Sequence, residues 1–110
     1  MEKIYNKLVR DKIPEIIESD GEIAFTHELN DSDYRFELYK KLSEECKEVV
    51  TSKTSKEILE ELADVLEVLR TIACLEGYNL EDVVEIADEK KRKRGGFYKK
   101  IYLEKTLTKD

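Results

Sequence analysis

Two acidic clusters contain the residues of this sequence best suited to chemistry. The first reads EECKE and contributes Glu44, Glu45 and Glu48, and the second reads EELAD and contributes Glu61 and Asp64. Residues three or four positions apart share one face of an α-helix. The Glu45–Glu48 and Glu61–Asp64 pairs are therefore each expected to project from a single patch of a helix.

The positions of these acids conflict with the hydrophobic pattern around them. Turning each helix by about 100° per residue places Glu45 and Glu61 inside the apolar arcs, with Glu48 and Asp64 at the edges. The ordinary alternative is a solvated acidic face, where most glutamates lie. Buried carboxylates without partners are costly, and converging ones repel each other. A divalent cation would relieve both penalties, so the pattern predicts a metal site.

The ligand atoms indicate which metal this site would take. All candidate ligands are carboxylate oxygens, with no histidine or cysteine in position. Zinc and copper are disfavoured, whereas Mg²⁺ is expected and Mn²⁺ is possible. Mg²⁺ is commonly held by a few carboxylates together with substrate phosphates, so phosphate chemistry fits this ligand set.

Two basic clusters are candidates for phosphate binding. Lys90 and Arg94 lie four residues apart in an entirely basic run, and such side chains can hold phosphate oxygens. The alternative is that these cations only favour the C-terminus of a helix through its macrodipole. Lys7 and Arg10 form a second cluster near the start, which could also be an ordinary charged loop.

Helical spacing of apolar residues predicts the elements that position these clusters. The expected order is a loop and helix over 5–19 with Pro14 in its first turn, helices over 34–50 and from Thr54 to about Glu76, and a helix over 80–94 after an Asn79 cap. Residues 23–29 and the tail after Gly96 look strand-like and could pair. The predicted fold is therefore all-α, a roughly four-helix, bundle-like arrangement with a minor two-stranded β element.

Length and composition limit the protein class. The 110 residues predict one domain over 1–110. The net charge of −6 argues against a general nucleic-acid binder. Cys46 and Cys74 lie in helical apolar patterns and are expected to be free core thiols. No apolar run is long enough to span a membrane, so we expect a cytoplasmic protein that binds neither nucleic acid nor membrane.

The segments YNKLVRDKIPE, KLSEECKEV, EELADVLEVL and KKRKRGGF together resemble the all-α nucleoside triphosphate pyrophosphatase superfamily. The nearest branch is that of MazG-like proteins related to phosphoribosyl-ATP pyrophosphohydrolase, and the resemblance covers nearly the whole chain. It implies an oligomeric all-α enzyme, a dimer or tetramer, that hydrolyses a nucleoside triphosphate to the monophosphate and pyrophosphate with Mg²⁺. A role in nucleotide house-cleaning is expected.

Carried over by position, the resemblance implies a role for each candidate residue. The metal ligands fall on Glu45, Glu48, Glu61 and Asp64, and Glu44 or Glu48 would accept a proton from the attacking water. Phosphate contacts are implied for the basic residues Lys90, Arg94, Lys7 and Arg10. Two alternatives stay open: phosphoribosyl-ATP pyrophosphohydrolase itself, and a non-catalytic helical module that binds nucleotide or metal.

Overall fold

The computed structural model describes residues 1–109 as four α-helices with extended segments between and beyond them. The helices are α1 (Ile13–Ser19), α2 (Asp31–Thr51), α3 (Ser55–Leu75) and α4 (Leu80–Arg94). The all-α prediction is confirmed, and all four predicted helices are present. None of the helices found in residues 1–109 is long and apolar enough to cross a membrane.

Side-chain caps fix where the two long helices begin. The Asn30 side chain accepts a hydrogen bond from the backbone N–H of Asp33 (2.8 Å) at the start of α2. At the start of α3 the Thr54 hydroxyl accepts one from the N–H of Glu57 (3.1 Å), as its sequence pattern predicts. These bonds satisfy N–H groups that have no partner within the helix. The polar turn between α2 and α3 is therefore short and defined at its exit.

The ends of α4 and the start of α1 follow similar rules. Asn79 and Asp82 form a reciprocal capping box at the start of α4. The helix ends at Gly95, whose φ of +82° lies in a region that favours glycine. Pro14 lies in the first turn of α1, where a missing N–H costs no helical hydrogen bond.

The α2–α3 hairpin is the packed part of the molecule. The two helices have equal length and are joined by residues 52–54, so they lie side by side and antiparallel. The buried side chains among residues 1–109 are Leu38, Val68 and Ala73, all on this hairpin. α4 packs against α3, whereas α1 packs against no other helix in the described part of the chain.

Two segments outside the helices, residues 22–30 and 95–109, leave most of their large apolar side chains in solvent; we call them the arms. Phe25 is 93% exposed and Phe97 is 99% exposed. The predicted two-stranded β element is wrong, because no residue in 1–109 is assigned to a strand. Their apolar side chains favour an extended backbone, but a strand also needs a neighbouring backbone to bond with, and within this chain neither arm supplies one to the other.

The single chain exposes far more surface than a compact protein of its size. Its accessible area is 10612 Å², whereas a folded monomer of 12.9 kDa exposes roughly 6,300 Å². Its radius of gyration is 19.3 Å, against about 13 Å for a compact domain of this length. Cys46 and Cys74 are free but exposed, so the prediction that they lie in the core is wrong: the apolar arcs that hold them are only partly covered within one chain.

Candidate metal centre

Three carboxylates from the two long helices converge on one side of the hairpin. Glu45 on α2 and Glu61 and Asp64 on α3 each offer one oxygen, and these three oxygens lie within 4.8 Å of one another. Glu45 and Glu61 lie equally far along the chain from Lys53 in the turn, so an antiparallel hairpin places them at the same level. Asp64 lies one turn beyond Glu61 on the same face of α3.

All three side chains are half-buried rather than fully solvated. This agrees with the sequence interpretation that Glu45 and Glu61 intrude on apolar arcs and that Asp64 lies at the rim. Because partial burial limits their access to water, their mutual repulsion is screened less than it would be in open solvent. The cluster therefore keeps negative charge concentrated at one point of the hairpin.

The pKa of Glu61 shows the electrostatic effect of this arrangement. Partial burial raises the pKa of Glu61, and the negative charges of Asp64, Glu45 and Glu48 raise this pKa further. A hydrogen bond with Asp64 acts in the same direction. A raised pKa means that the ionised form is disfavoured, and a cation placed among these groups would favour the ionised carboxylate.

Two basic side chains offset part of the charge. The Arg10 guanidinium donates a hydrogen bond from Nη2 to Asp64 Oδ1 at 2.8 Å. Lys41 Nζ lies 3.9 Å from Glu45 and 4.0 Å from Glu44, distances that are too long for strong hydrogen bonds. The i,i+4 spacing of Lys41 and Glu45 could have indicated their contact from the sequence, whereas the Arg10–Asp64 contact had no such signal.

The remaining acidic candidates lie beside the three converging carboxylates. Glu48 is exposed and is not part of the converging set, although its charge is close enough to act on Glu61. Glu44 is also exposed and faces Lys41. The structure thus brings together three of the four predicted ligands, and the roles of Glu48 and Glu44 stay predictions.

The predicted phosphate-binding residues are distributed over two regions. Lys90 and Arg94 are exposed on the last turns of α4, and neither forms an ion pair with a residue of the described chain. Lys7 lies over the Tyr5 ring, 5.9 Å from its centre. Arg10 alone among these four contacts the acidic cluster.

A shallow, open groove of about 360 Å³ runs along α4 and includes Val84, Asp88 and Arg92 in its lining. It contains none of the three converging carboxylates. Exposed acidic groups alone are common in proteins, but the donor set here fits a hard divalent cation: all the atoms are carboxylate oxygens, they are half-buried, and they are close enough for one ion to reach all three after small side-chain adjustments.

Comparison with known proteins adds one finding to this geometry. The family described as phosphoribosyl-ATP pyrophosphohydrolase matches residues 6–91, which include the hairpin, all three converging carboxylates and Arg10. No curated protein and no solved structure shows a significant match to the chain.

Proposed function

The chain belongs to the phosphoribosyl-ATP pyrophosphohydrolase family, and from this premise we propose that it is a Mg²⁺-dependent pyrophosphohydrolase of nucleoside triphosphates. The reaction would convert a triphosphate and water to the monophosphate and pyrophosphate. The observation that carries the proposal is the convergence of Glu45, Glu61 and Asp64 within a segment that matches a pyrophosphohydrolase family.

The three converging carboxylates would hold the cation. Oxygen ligands favour Mg²⁺, with Mn²⁺ as a possible substitute, and Glu48 is the proposed fourth ligand because its charge already acts on Glu61. When bound, the cation would supply Lewis-acid polarisation of the phosphate oxygens. Its positive charge would also favour the ionised state of Glu61, which the cluster on its own disfavours.

The water that attacks the α-phosphorus needs a base close to the cluster. We assign this role to Glu44 or Glu48, both exposed and adjacent to Glu45 on α2. Either carboxylate would accept a proton from the water as its oxygen bonds to phosphorus. The bond between the α-phosphorus and the bridging oxygen would break, and pyrophosphate would leave with that electron pair.

Negative charge on the departing pyrophosphate needs a basic environment. Lys90 and Arg94 on α4, with Lys7 and Arg10 from the N-terminal segment, are the proposed phosphate contacts. Lys90 and Arg94 are free of ion pairs with the described part of the chain, so their charges are available to a ligand. Arginine can also bind phosphate through two parallel hydrogen bonds.

We further propose that the active form is a homo-oligomer, a dimer or a tetramer. The exposed area of 10612 Å² exceeds that of a compact monomer by several thousand Å², and large apolar surfaces of this kind mark interaction sites. The free thiols suit a reducing compartment, so the cytoplasm is the proposed location.

A narrower function fits the family match equally well. Phosphoribosyl-ATP carries the same triphosphate, and the family that matches residues 6–91 is named for its hydrolysis. Turnover of phosphoribosyl-ATP compared with that of ordinary and modified nucleotides separates this function from nucleotide house-cleaning. Binding of nucleotide without any turnover would instead support the non-catalytic module.

The test is pyrophosphate release from canonical and modified nucleoside triphosphates and from phosphoribosyl-ATP, with Mg²⁺ or with EDTA. We expect release only with Mg²⁺. Glu61→Gln should lower the rate by roughly 100-fold or more, the scale of losing one transition-state stabilising group. Glu60→Gln is the matched control, because Glu60 is the adjacent, exposed glutamate on α3. Full activity of the Glu61→Gln protein would refute the metal site.

A further inference from the structure

Long-range polar links are scarce in this chain, and one of them ends on the acidic cluster. Among residues 1–109, two side-chain hydrogen bonds join positions far apart in sequence: Arg10 to Asp64, and Arg35 to Glu76. The second lies at the opposite end of the hairpin, between the start of α2 and the residue that follows α3. The first joins the N-terminal segment to α3.

The Arg10 guanidinium occupies a position that a divalent cation would compete for. Its Nη2 lies 2.8 Å from Asp64 Oδ1, and Asp64 is one of the three converging carboxylates. A guanidinium has only donors and keeps its positive charge at all ordinary pH values. It therefore neutralises the same group that a cation would neutralise, and a doubly charged ion beside it would repel it.

From this geometry we propose that Arg10 is a positioning residue that acts as a tethered counter-ion: it holds Asp64 in the metal-free protein, and binding of a divalent cation displaces it. The proposal rests on the proposed function, since it takes the acidic cluster to be the cation site. It assigns Arg10 a role before any nucleotide is bound.

The solvent exposure of Arg10 and Asp64 indicates that their ion pair is easily broken. The Arg10 and Asp64 side chains are 58% and 41% exposed, and ion pairs this open to water are weak. A divalent cation that also contacts Glu45 and Glu61 is stabilised by three carboxylates at once, whereas the Arg10 guanidinium is stabilised by one. Displacement is therefore favoured as soon as the cation is present.

Release of Arg10 has a structural consequence for the N-terminal segment. α1 packs against no other helix of the described chain, and the bond to Asp64 is the one long-range side-chain hydrogen bond from residues 1–30 to the rest of that chain. Cation binding would thus free the guanidinium and loosen α1, whose first backbone hydrogen bonds are accepted by Arg10 and Lys12. The freed group could then contact the phosphates of an incoming nucleotide, so the cation is expected to bind first.

The test is Mn²⁺ binding to the nucleotide-free protein by calorimetry, with Arg10→Gln, Arg10→Lys and, as matched control, Arg35→Gln, which breaks the other long-range link. We expect Arg10→Gln to bind Mn²⁺ roughly two- to five-fold more tightly than wild type, the range of an exposed ion pair. Arg10→Lys should stay near wild type because the charge is kept, and Arg35→Gln should be unchanged. Equal or weaker binding by Arg10→Gln overturns the proposal.

Amide hydrogen exchange of residues 13–19 gives a second readout, because N–H groups of this segment, such as those of Ile13 and Ile16, donate backbone hydrogen bonds to Arg10 and Lys12. Mn²⁺ should speed their exchange in wild type, whereas in Arg10→Gln exchange should be fast already and insensitive to Mn²⁺. Exchange in wild type that Mn²⁺ leaves unchanged or slows would contradict displacement.

The two proposals can fail separately. Tighter Mn²⁺ binding by Arg10→Gln without any nucleotide hydrolysis would retain the counter-ion role and refute the enzyme. Nucleotide hydrolysis with equal Mn²⁺ affinity in both proteins would retain the enzyme and refute the counter-ion role. If neither wild type nor Arg10→Gln bound Mn²⁺, the counter-ion role would be refuted whether or not nucleotide is hydrolysed.

Discussion

The α2–α3 hairpin and the two arms use apolar residues in opposite ways. In the hairpin, apolar stripes face each other, and Leu38 is only 3% exposed. In the arms, Phe25 and Phe97 are at least 93% exposed and no backbone pairing holds them. The hairpin thus finds a packing partner within the chain for one part of its apolar surface, although Leu59 and Leu62 on α3 stay 68% and 49% exposed. The exposed apolar side chains of the arms become favourable only when a second surface covers them.

This difference also separates cation binding from nucleotide enclosure at the candidate site. The cation ligands Glu45, Glu61 and Asp64 all lie on the hairpin, so cation binding should need no second copy. The arms and α4 carry half of the exposed aromatic and basic side chains, including Lys90 and Arg94, so enclosure of a nucleotide should depend on assembly. The hairpin and the arms can therefore be tested one at a time.

The largest effect is expected from the buried centre of the hairpin. Leu38→Ala should lower the free energy of unfolding by about 2–4 kcal/mol, because it leaves a cavity between α2 and α3. Denaturant unfolding followed by circular dichroism measures this loss. The matched control is Leu59→Ala on α3, where the side chain is 68% exposed and a change within about 0.5 kcal/mol is expected.

A large cost of Leu59→Ala would break the comparison. It would mean that the outer face of the hairpin is covered as well, and that a second copy packs on α3 rather than on the arms alone.

The next effect concerns assembly. Phe97→Ser should weaken self-association by roughly 10- to 100-fold, because burial of a large apolar side chain contributes roughly 1.5–3 kcal/mol. Helix content should not change, since residue 97 lies outside the helices. Light scattering over a dilution series gives the association constant, and circular dichroism gives the helix content.

Lys99→Ser is the control for this change, because it alters the same arm at a side chain that is already polar. Equal association of wild type and Phe97→Ser would show that this arm lies outside the interface.

The helices could be predicted from the sequence because their signals are local. Asn30, Thr54 and Asn79 each cap a helix through a bond to a residue three positions away, so a short segment contains the whole interaction. The half-burial of two of the acids could be predicted for the same reason: Glu45 and Glu61 break the apolar pattern of their own helices. Both inferences needed only the 3.6-residue period.

The features that the sequence did not predict depend on partners distant along the chain. Residues 23–29 have the composition of a strand, but composition does not identify the backbone that would pair with them. The exposure of Cys46 could not be predicted for a similar reason. An apolar arc on a helix does not indicate how much of that arc other parts of the same chain will cover. The Arg10–Asp64 contact spans more than half of the match to the family, and no local rule relates its two ends.

The smallest expected effect is the pH dependence of stability that Glu61 causes. It tests whether the acids of the hairpin stabilise the fold or oppose it. The pKa of Glu61 is raised above its ordinary value of 4.5 in the folded protein, so the unfolded chain ionises at lower pH than the folded one. The contribution of Glu61 to the stability of the metal-free protein should therefore fall as pH rises from about 4.5 through the higher folded pKa, and then stay level. Below 4.5 the group is neutral in both states and costs nothing.

Glu61→Gln removes this ionisation, so in EDTA the variant should have the higher Tm at pH 7, with the difference vanishing near pH 4. Because the cluster is half-exposed, water and salt keep the difference small. Mg²⁺ should raise the Tm of wild type more than that of Glu61→Gln, since a ligand stabilises only the state that binds it. Thermal unfolding at several pH values, with Glu60→Gln as control, measures both trends. If the metal-free Glu61→Gln protein were less stable than wild type at pH 7, Glu61 would stabilise the hairpin. The charge of Glu61 would then not oppose folding, and the main argument for a cation site would be lost.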